Sequence, residues 1–234
     1  MRSWLPGRRD SELPHFIFDC DGVLVDSEPL SMRIDVQILA ENGVIMSEEE
    51  AHARFVGRTF AAMLDEVSRE FGVHFPTDAS AQKDLRLLEL YERELKPVAG
   101  VEAALSALMP QHFSVASNSP CDRVEASLRI AGLTRFFGNR ITTFEHVARG
   151  KPEPDVFIEA ARRAGYHPSD CIVVEDSVTG VTAAHRAGCI VLGFTGTHPH
   201  PEDQAARLLA AGARTAFSRM AELPGLAAGL LSAA

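Results

Sequence analysis

The sequence lacks three features that would point to a membrane, a metal motif or a nucleic acid. No apolar run approaches the ~20 residues that a membrane-spanning helix needs, so we expect no membrane partner. The four cysteines form no C-x-x-C pair, which excludes the common zinc and redox motifs and is typical of reduced thiols in a cytoplasmic protein. Lys and Arg number 23 against 32 acidic residues, and the formal charge of −9 argues against nucleic acid as a partner.

The rest of the composition is that of an ordinary globular protein. Hydrophobic residues make up 46% of the 234 residues and charged residues 24%, which suits one domain or one domain with a smaller insertion. The polar N-terminus has no apolar segment typical of a secretory signal, and we expect residues 1–13 to form a mobile tail. We expect the protein to act as a monomer or a homodimer.

Short apolar runs of strand length alternate with helical patterns. The predicted strands are 15–19, 112–117, 171–175, 189–194 and 214–217, and the predicted helices between them include 101–108, 123–131, 155–164, 178–187 and 201–211. Glycines follow four of these helices at the usual helix-ending position, namely Gly132, Gly165, Gly188 and Gly212. The alternation predicts an α/β fold with a doubly wound parallel sheet that is covered on both faces.

One long stretch breaks the alternation. Residues 28–96 contain no convincing strand and instead show helical patterns over 30–41, 47–55, 60–71 and 79–95. Ser47 and Thr59 stand where helix N-caps are expected. The pattern predicts an all-helical cap domain over 28–96, inserted into an α/β core that consists of 14–27 and 97–234.

Acidic residues follow two of the predicted strands. Asp19 and Asp21 follow the first strand and precede Gly22, which allows a sharp turn. Glu175 and Asp176 follow the strand at 171–175. Such pairs repel each other unless a cation lies nearby, and Mg²⁺ prefers oxygen ligands of this kind. The alternatives are a simple turn or calcium loop at Asp19 and a helix N-cap at Asp176 or Ser177; the spacing of an EF-hand is absent.

A hydroxyl cluster follows the strand predicted at 112–117, and a lysine lies in the loop before the helix predicted at 155–164. Ser117, Asn118 and Ser119 lie at a predicted helix start, where hydroxyl and N–H groups bind anions. The alternative is that Ser119 only caps that helix. Lys151, between Gly150 and Pro152, is a point charge suited to phosphate, unless it is an ordinary solvated lysine. Because ligands bind beyond the carboxyl ends of strands in such sheets, the four segments together predict a phosphoryl-transfer site.

The four segments FDCDGVLVDSEPL, VASNS, GKPEPD and VVEDS resemble, in this order, the motifs of haloacid dehalogenase superfamily phosphatases. The resemblance covers the chain from about residue 15 onward and includes a helical cap between the first two motifs. It implies a Rossmann-like core and a phosphoric monoester hydrolase. The alternative of a non-catalytic relative is disfavoured because Asp19, Asp21, Lys151 and Asp176 are all intact.

The resemblance also implies a role for each motif residue. Asp19 is the nucleophile that forms an aspartyl-phosphate, and Asp21 is the general acid and base. Ser117 and Lys151 hold the transferred phosphoryl group, and Asn118 is expected to contact substrate. The implied Mg²⁺ ligands are Asp19, the Asp21 backbone carbonyl, Asp176 and, through water, Glu175. Asp21 argues against a true dehalogenase, because a halide needs no acid to leave.

The expected substrate is a small phosphorylated metabolite. Arg54, Arg58 and Thr59 fall where related enzymes carry their substrate loop, and Arg58 is suited to a carboxylate or second polar group; the alternative is a solvated arginine. The pattern is similar to phosphogluconate and sugar-phosphate phosphatases. It also resembles β-phosphoglucomutases. Those enzymes usually carry a His where this chain has Ser31, and a Lys-Asn pair where it has Pro120-Cys121, and both differences weaken the mutase interpretation.

A histidine pair near the C-terminal third stands apart from these motifs. His198 and His200 flank a proline and resemble two metal ligands by spacing. We interpret them as part of an exposed turn before a helix, because structural metal sites need about four ligands and the pair has no third ligand assigned to it.

Overall fold

The structure, a computed structural model, describes residues 13–55, 59–108 and 113–232. The chain divides into a core unit, up to Asp26 and from Lys96 onward, and a helical unit, Ser27–Leu95. The tail predicted for residues 1–13 lies outside the described residues except for Leu13, which is buried.

Six parallel strands form the sheet of the core unit. They are β1 (His15–Phe18), β2 (Phe113–Ser117), β3 (Ile141–Thr143), β4 (Cys171–Glu175), β5 (Ile190–Phe194) and β6 (Thr215–Phe217). Their order across the sheet is β3-β2-β1-β4-β5-β6, so β1 lies between β2 and β4. The predicted α/β fold is confirmed, although the sequence pattern does not predict β3.

In the described part of the helical unit, which leaves out residues 56–58, there are four helices. They are α1 (Glu28–Glu41), α2 (Glu48–Phe55), α3 (Phe60–Phe71) and α4 (Ala79–Glu94). The Ser47 hydroxyl accepts from the Glu50 N–H, and the Thr59 hydroxyl accepts from the Ala62 N–H, as expected of N-caps. The unit has its own apolar core, which includes Leu39, Met63 and Val67. A role for this unit as a cap stays a prediction.

Among the residues of the core unit that the structure describes, seven further α-helices occur. They are α5 (Val101–Leu108), α6 (Cys121–Ile130), α7 (Thr134–Phe137), α8 (Asp155–Ala164), α9 (Val178–Ala187), α10 (Pro201–Ala211) and α11 (Leu223–Ser232). Gly165, Gly188 and Gly212 end α8, α9 and α10 in the left-handed conformation, as predicted. Within the described residues, every helix is too short or too polar to cross a membrane.

Side chains of β1 pack on both faces of the sheet, because successive strand residues point to opposite sides. Phe16 and Phe18 lie on one face, where the rings of Phe18 and Phe137 are 5.9 Å apart between centroids. Ile17 belongs to a buried cluster on the other face, together with Phe157 of α8 and Val181 of α9. This burial on both sides explains why the strands read as nearly continuous apolar runs.

Candidate active site

The carboxyl ends of three neighbouring strands bring predicted site residues together. Asp19 follows β1, and its N–H donates to the Val174 carbonyl oxygen of β4 at 3.0 Å. Ser117 ends β2, and Glu175 ends β4. Because β1 lies between these two parallel strands, the three side chains emerge at the same edge of the sheet.

The Lys151 ammonium group joins two of these acidic side chains. Its Nζ atom lies 2.7 Å from Asp19 Oδ1 and 2.6 Å from Glu175 Oε1. The Lys151 side chain is only 4% exposed and that of Glu175 is 0% exposed. The alternative of a solvated surface lysine is therefore wrong. Lys151 lies in the loop before α8, above the ring of Phe157.

Burial and the neighbouring charges shift the pKa values of Asp19 and Lys151. Burial raises the pKa of Asp19 to about 7, against the attraction of Lys151 and with added repulsion from Glu175 and Asp21. Burial also opposes a charged Lys151, but the two carboxylates outweigh it and raise the pKa of Lys151. One lysine thus faces two carboxylates, and a second cation would favour the ionised form of Asp19.

A cluster of three carboxyl groups offers ligands for such a cation. Asp19, Glu175 and Asp176 each present an oxygen, and these oxygens lie within 4.8 Å of one another. Within the described ranges, this is the one group of three or more His, Cys, Asp or Glu side chains with ligand atoms that close. A donor set of carboxylate oxygens suits a hard cation such as Mg²⁺.

A hydrogen bond and the space beside a glycine both position Asp176 in this cluster. The side-chain amide of Gln204, on α10, donates to the Asp176 carbonyl oxygen at 2.6 Å. Gly22 has φ +75°, and a Cβ atom at this position would lie 2.0 Å from Asp176 Oδ2. The glycine therefore allows the turn after Asp21 and also leaves room for the Asp176 carboxylate.

Ser177 and Gly180 position Glu175. The Ser177 backbone N–H and hydroxyl both donate to Glu175 Oε2, at 2.8 and 2.9 Å. The same hydroxyl accepts from the Gly180 N–H and caps α9, which confirms the N-cap interpretation for Ser177. A Cβ atom at Gly180 would lie 1.7 Å from Glu175 Oε1, so Glu175 fills the space that a larger residue would take.

We expect Gly180→Ala to displace Glu175 and weaken cation binding. Glu175 is fully buried and cannot move aside cheaply, so we expect a loss of about 1–3 kcal/mol in the free energy of unfolding. Urea unfolding and calorimetric titration with Mg²⁺ measure the two effects. Gly225→Ala in α11 is the matched control, because its Cβ would meet nothing within 4 Å. Equal behaviour of both variants would contradict this role of Gly180.

Ser119 connects Asp21 to Ser117. The Ser119 hydroxyl donates to Asp21 Oδ2 at 2.6 Å, and its N–H donates to Ser117 Oγ at 3.0 Å. Helix α6 begins after Pro120 without a side-chain cap, so the alternative that Ser119 only caps it is wrong. Ser117 Oγ accepts this bond and keeps its own hydrogen to donate to an anion.

Asn118 pairs with the loop that carries Lys151. Its side-chain oxygen accepts from the Lys151 N–H at 2.8 Å, and its amide nitrogen donates to the Lys151 carbonyl oxygen at 3.0 Å. The structure therefore places Asn118 beside the site and gives it a loop-holding contact. Its contact with substrate stays a prediction.

Two of the three predicted substrate residues of the helical unit, Arg54 and Thr59, have local partners. Arg54 forms ion pairs with Glu66 and Glu70. Thr59 caps α3, and Arg58 lies outside the described residues. Contacts of all three with substrate stay predictions.

The exposed turn predicted around His198 and His200 follows β5. His198 Nδ1 accepts from the backbone N–H of His200 at 3.0 Å, as in a tight local turn. The neighbouring Thr197 hydroxyl donates to the Gly22 carbonyl oxygen at 2.8 Å, so this turn borders the segment that carries Asp21.

Sequence reasoning missed Arg123 and Gln204 as supporting residues of the site. Arg123 donates to the Ser119 hydroxyl from the first turn of α6. Its one sequence signal is the separation of four residues from Ser119. Gln204 stands in an ordinary amphipathic helix, and nothing local in the sequence marks its contact with Asp176.

Comparison with known proteins gives consistent matches. A sequence profile of haloacid dehalogenase-like hydrolases matches residues 13–188. The chain is 30% identical over 217 residues to 6-phosphogluconate phosphatase of Escherichia coli (strain K12), covering 92% of this chain and 95% of that protein. It is 29% identical to hexitol phosphatase B of the same organism, covering 73% of this chain and 78% of that protein.

Solved structures match over almost the whole chain. A conserved haloacid dehalogenase-like protein of unknown function from Agrobacterium tumefaciens is 36% identical, with a TM-score of 0.83, covering 94% of this chain and 99% of the other. A haloacid dehalogenase family hydrolase from Deinococcus radiodurans, solved with bound phosphate and sodium, is 34% identical, with a TM-score of 0.77. The match covers 94% of this chain and 97% of the other.

Proposed function

Because this chain belongs to the haloacid dehalogenase-like hydrolases and is a phosphatase, we propose that it is a Mg²⁺-dependent enzyme acting through an aspartyl-phosphate on Asp19. The observation that carries this proposal is the placement of Asp19. It lies within hydrogen-bonding distance of Lys151 and within 4.8 Å, between ligand oxygens, of Glu175 and Asp176. The residues proposed as nucleophile, phosphate-binding cation and metal ligands thus lie close together at one sheet edge, which supports the proposal.

The proposed metal ligands are Asp19, Asp176, Glu175 and the backbone carbonyl of Asp21. Their oxygen donors fit a hard divalent cation, and the raised pKa of Asp19 fits a site that is completed by positive charge. When bound, Mg²⁺ supplies positive charge that shields the nucleophile from an anionic substrate and orients the phosphate.

In the first proposed step, the ionised Asp19 carboxylate attacks phosphorus. A bond forms between an Asp19 oxygen and phosphorus while the bond from phosphorus to the substrate oxygen breaks. Asp21 gives its proton to that leaving oxygen, so an alcohol departs. Lys151 and the Ser117 hydroxyl donate to the phosphoryl oxygens and stabilise their charge.

In the second proposed step, Asp21 acts as a base. It takes a proton from a water molecule, whose oxygen attacks phosphorus as the bond to Asp19 breaks. Inorganic phosphate leaves, and Asp19 returns as a carboxylate while Asp21 is protonated again. The same two carboxyl groups therefore serve both steps, with opposite roles for Asp21.

For the substrate, we propose a phosphorylated sugar acid or sugar alcohol. This proposal follows from the two relatives named for 6-phosphogluconate and hexitol phosphates. Arg58 suits the carboxylate of a sugar acid, with Arg54, Thr59 and Asn118 as further contacts.

We expect phosphate release with Mg²⁺ from 6-phosphogluconate or a hexitol 6-phosphate. A panel that adds glucose 6-phosphate, phosphoglycolate and nucleoside monophosphates measures the preference. We expect chelation with EDTA to lower the rate at least about 100-fold, with recovery on added Mg²⁺, because Lys151 alone then faces the two buried carboxylates and no second cation shields Asp19 from the anionic substrate. Isomerised β-glucose 1-phosphate without phosphate release would support a phosphosugar mutase instead. A rate unaffected by EDTA would contradict metal dependence.

A further inference from the structure

Two consecutive hydrogen bonds lead from helix α6 to Asp21. Arg123 Nη2 donates to Ser119 Oγ at 2.6 Å, and Ser119 Oγ donates to Asp21 Oδ2 at 2.6 Å. Ser119 is buried, with 5% of its surface exposed, so water does not compete freely for its hydroxyl group. All three residues belong to the core unit.

The direction of these bonds follows from the chemistry of the groups. A guanidinium group has donors only, so the Ser119 oxygen must accept from Arg123. The single hydroxyl hydrogen of Ser119 then points to the carboxyl oxygen of Asp21. Because Oδ2 accepts this hydrogen, the bond fixes the orientation of the Asp21 carboxyl group, and a proton on Oδ1 leaves the bond from Ser119 intact.

Ser119 is held from two further sides. Its backbone N–H donates to Ser117 Oγ, which ties it to the end of β2. Pro120 follows it and restricts the backbone before α6 begins at Cys121. The hydroxyl is therefore fixed in place rather than used as a helix cap.

We propose that Ser119 and Arg123 are positioning residues that orient Asp21 for proton transfer in both steps, an inference that rests on the function proposed above. Ser119 contacts Asp21, and Arg123 acts through Ser119. In the first step, Oδ1 gives its proton to the leaving oxygen as the bond to phosphorus breaks. In the second step, Oδ1 takes a proton from water as the water oxygen bonds to phosphorus.

This role predicts a dependence on the leaving group. An alkoxide leaves poorly and needs a proton, whereas p-nitrophenolate leaves well without one. The ratio kcat/KM reports steps up to the departure of the leaving group, and kcat also includes hydrolysis of the aspartyl-phosphate. Misplacing Asp21 therefore lowers kcat/KM strongly for alkyl phosphates and weakly for p-nitrophenyl phosphate.

The test compares Ser119→Ala and Arg123→Met with the wild-type enzyme in Mg²⁺. For the best alkyl phosphate of the panel, we expect kcat/KM to fall about 10–100-fold, a part of the full general-acid effect. For p-nitrophenyl phosphate, we expect kcat and KM to fall together, so that kcat/KM stays within about threefold of the wild-type value. Ser119→Thr and Arg123→Lys keep the donor groups and should recover part of the loss.

Arg129→Met is the matched control, because Arg129 lies on the exposed side of the same helix. We expect it to behave as wild type with both esters, and melting curves check that every variant folds. If Ser119→Ala fails to fold, Arg123→Met carries the same comparison. Equal losses of kcat/KM with both esters, or no loss with the alkyl ester, would overturn the positioning role alone. A wild-type enzyme that hydrolyses neither ester would overturn the proposed function, and this role with it.

Discussion

Asp19→Asn is expected to abolish turnover, with kcat reduced at least about 10⁴-fold. The amide keeps the size of the side chain but is not a nucleophile toward phosphorus. Phosphate release from the best substrate of the panel, in saturating Mg²⁺, measures the loss.

The matched control for Asp19→Asn is Asp170→Asn, an exposed carboxylate just before β4 at the opposite end of the sheet. We expect this variant to keep wild-type rates. Intact-mass measurement of acid-quenched reactions should find a covalent phosphoryl group on the wild-type protein and none on Asp19→Asn. Retention of a tenth or more of the wild-type kcat would show that another residue is the nucleophile.

Lys151→Met is expected to damage both stability and activity. It leaves Asp19 and Glu175 buried without their cation, which should cost about 3–5 kcal/mol of the free energy of unfolding in EDTA. It also removes a donor to the transferred phosphoryl group, which should lower kcat about 10²–10³-fold. Urea unfolding and steady-state kinetics measure the two losses.

Added Mg²⁺ distinguishes the stability loss of Lys151→Met from the loss caused by breaking any other buried ion pair. If Asp19 and Glu175 hold Mg²⁺, added Mg²⁺ should recover part of the stability lost in Lys151→Met. Lys83→Met is the matched control, because Lys83 pairs with the buried Asp35 at 2.6 Å within the helical unit. We expect Lys83→Met to lose stability without recovery by Mg²⁺. Recovery of both variants, or of neither, would contradict a metal site at Asp19 and Glu175.

The local sequence pattern was sufficient to predict most elements of the fold. Strands buried on both faces read as apolar runs, and the helices between them end at glycines. The strand β3 was missed because Ile141–Thr143 has only three residues, two of them threonines, and so shows no apolar run. Its position depends on pairing with β2, which is a long-range contact.

The acidic motifs could also be located from sequence, because charged residues directly after apolar strands are unusual without a cation. The burial of Lys151 and its pairing with two carboxylates could not be predicted from sequence. Its partners Asp19 and Glu175 are 132 and 24 residues away along the chain, and local spacing alone favours a solvated side chain. Ser119 was noticed as a potential helix cap, whereas its bond to Asp21 spans 98 residues.

By itself, the sequence determined the α/β class, the helical character of the insertion and the candidate site residues, since these depend on local periodicity and residue type. Only the tertiary structure decided the strand order that places β1 between β2 and β4. That order brings Asp19, Ser117 and Glu175 to one edge and buries Lys151 among them. The contacts of Arg123 and Gln204 came from the structure for the same physical reason: hydrogen-bond partners depend on distance in space, which local sequence does not encode.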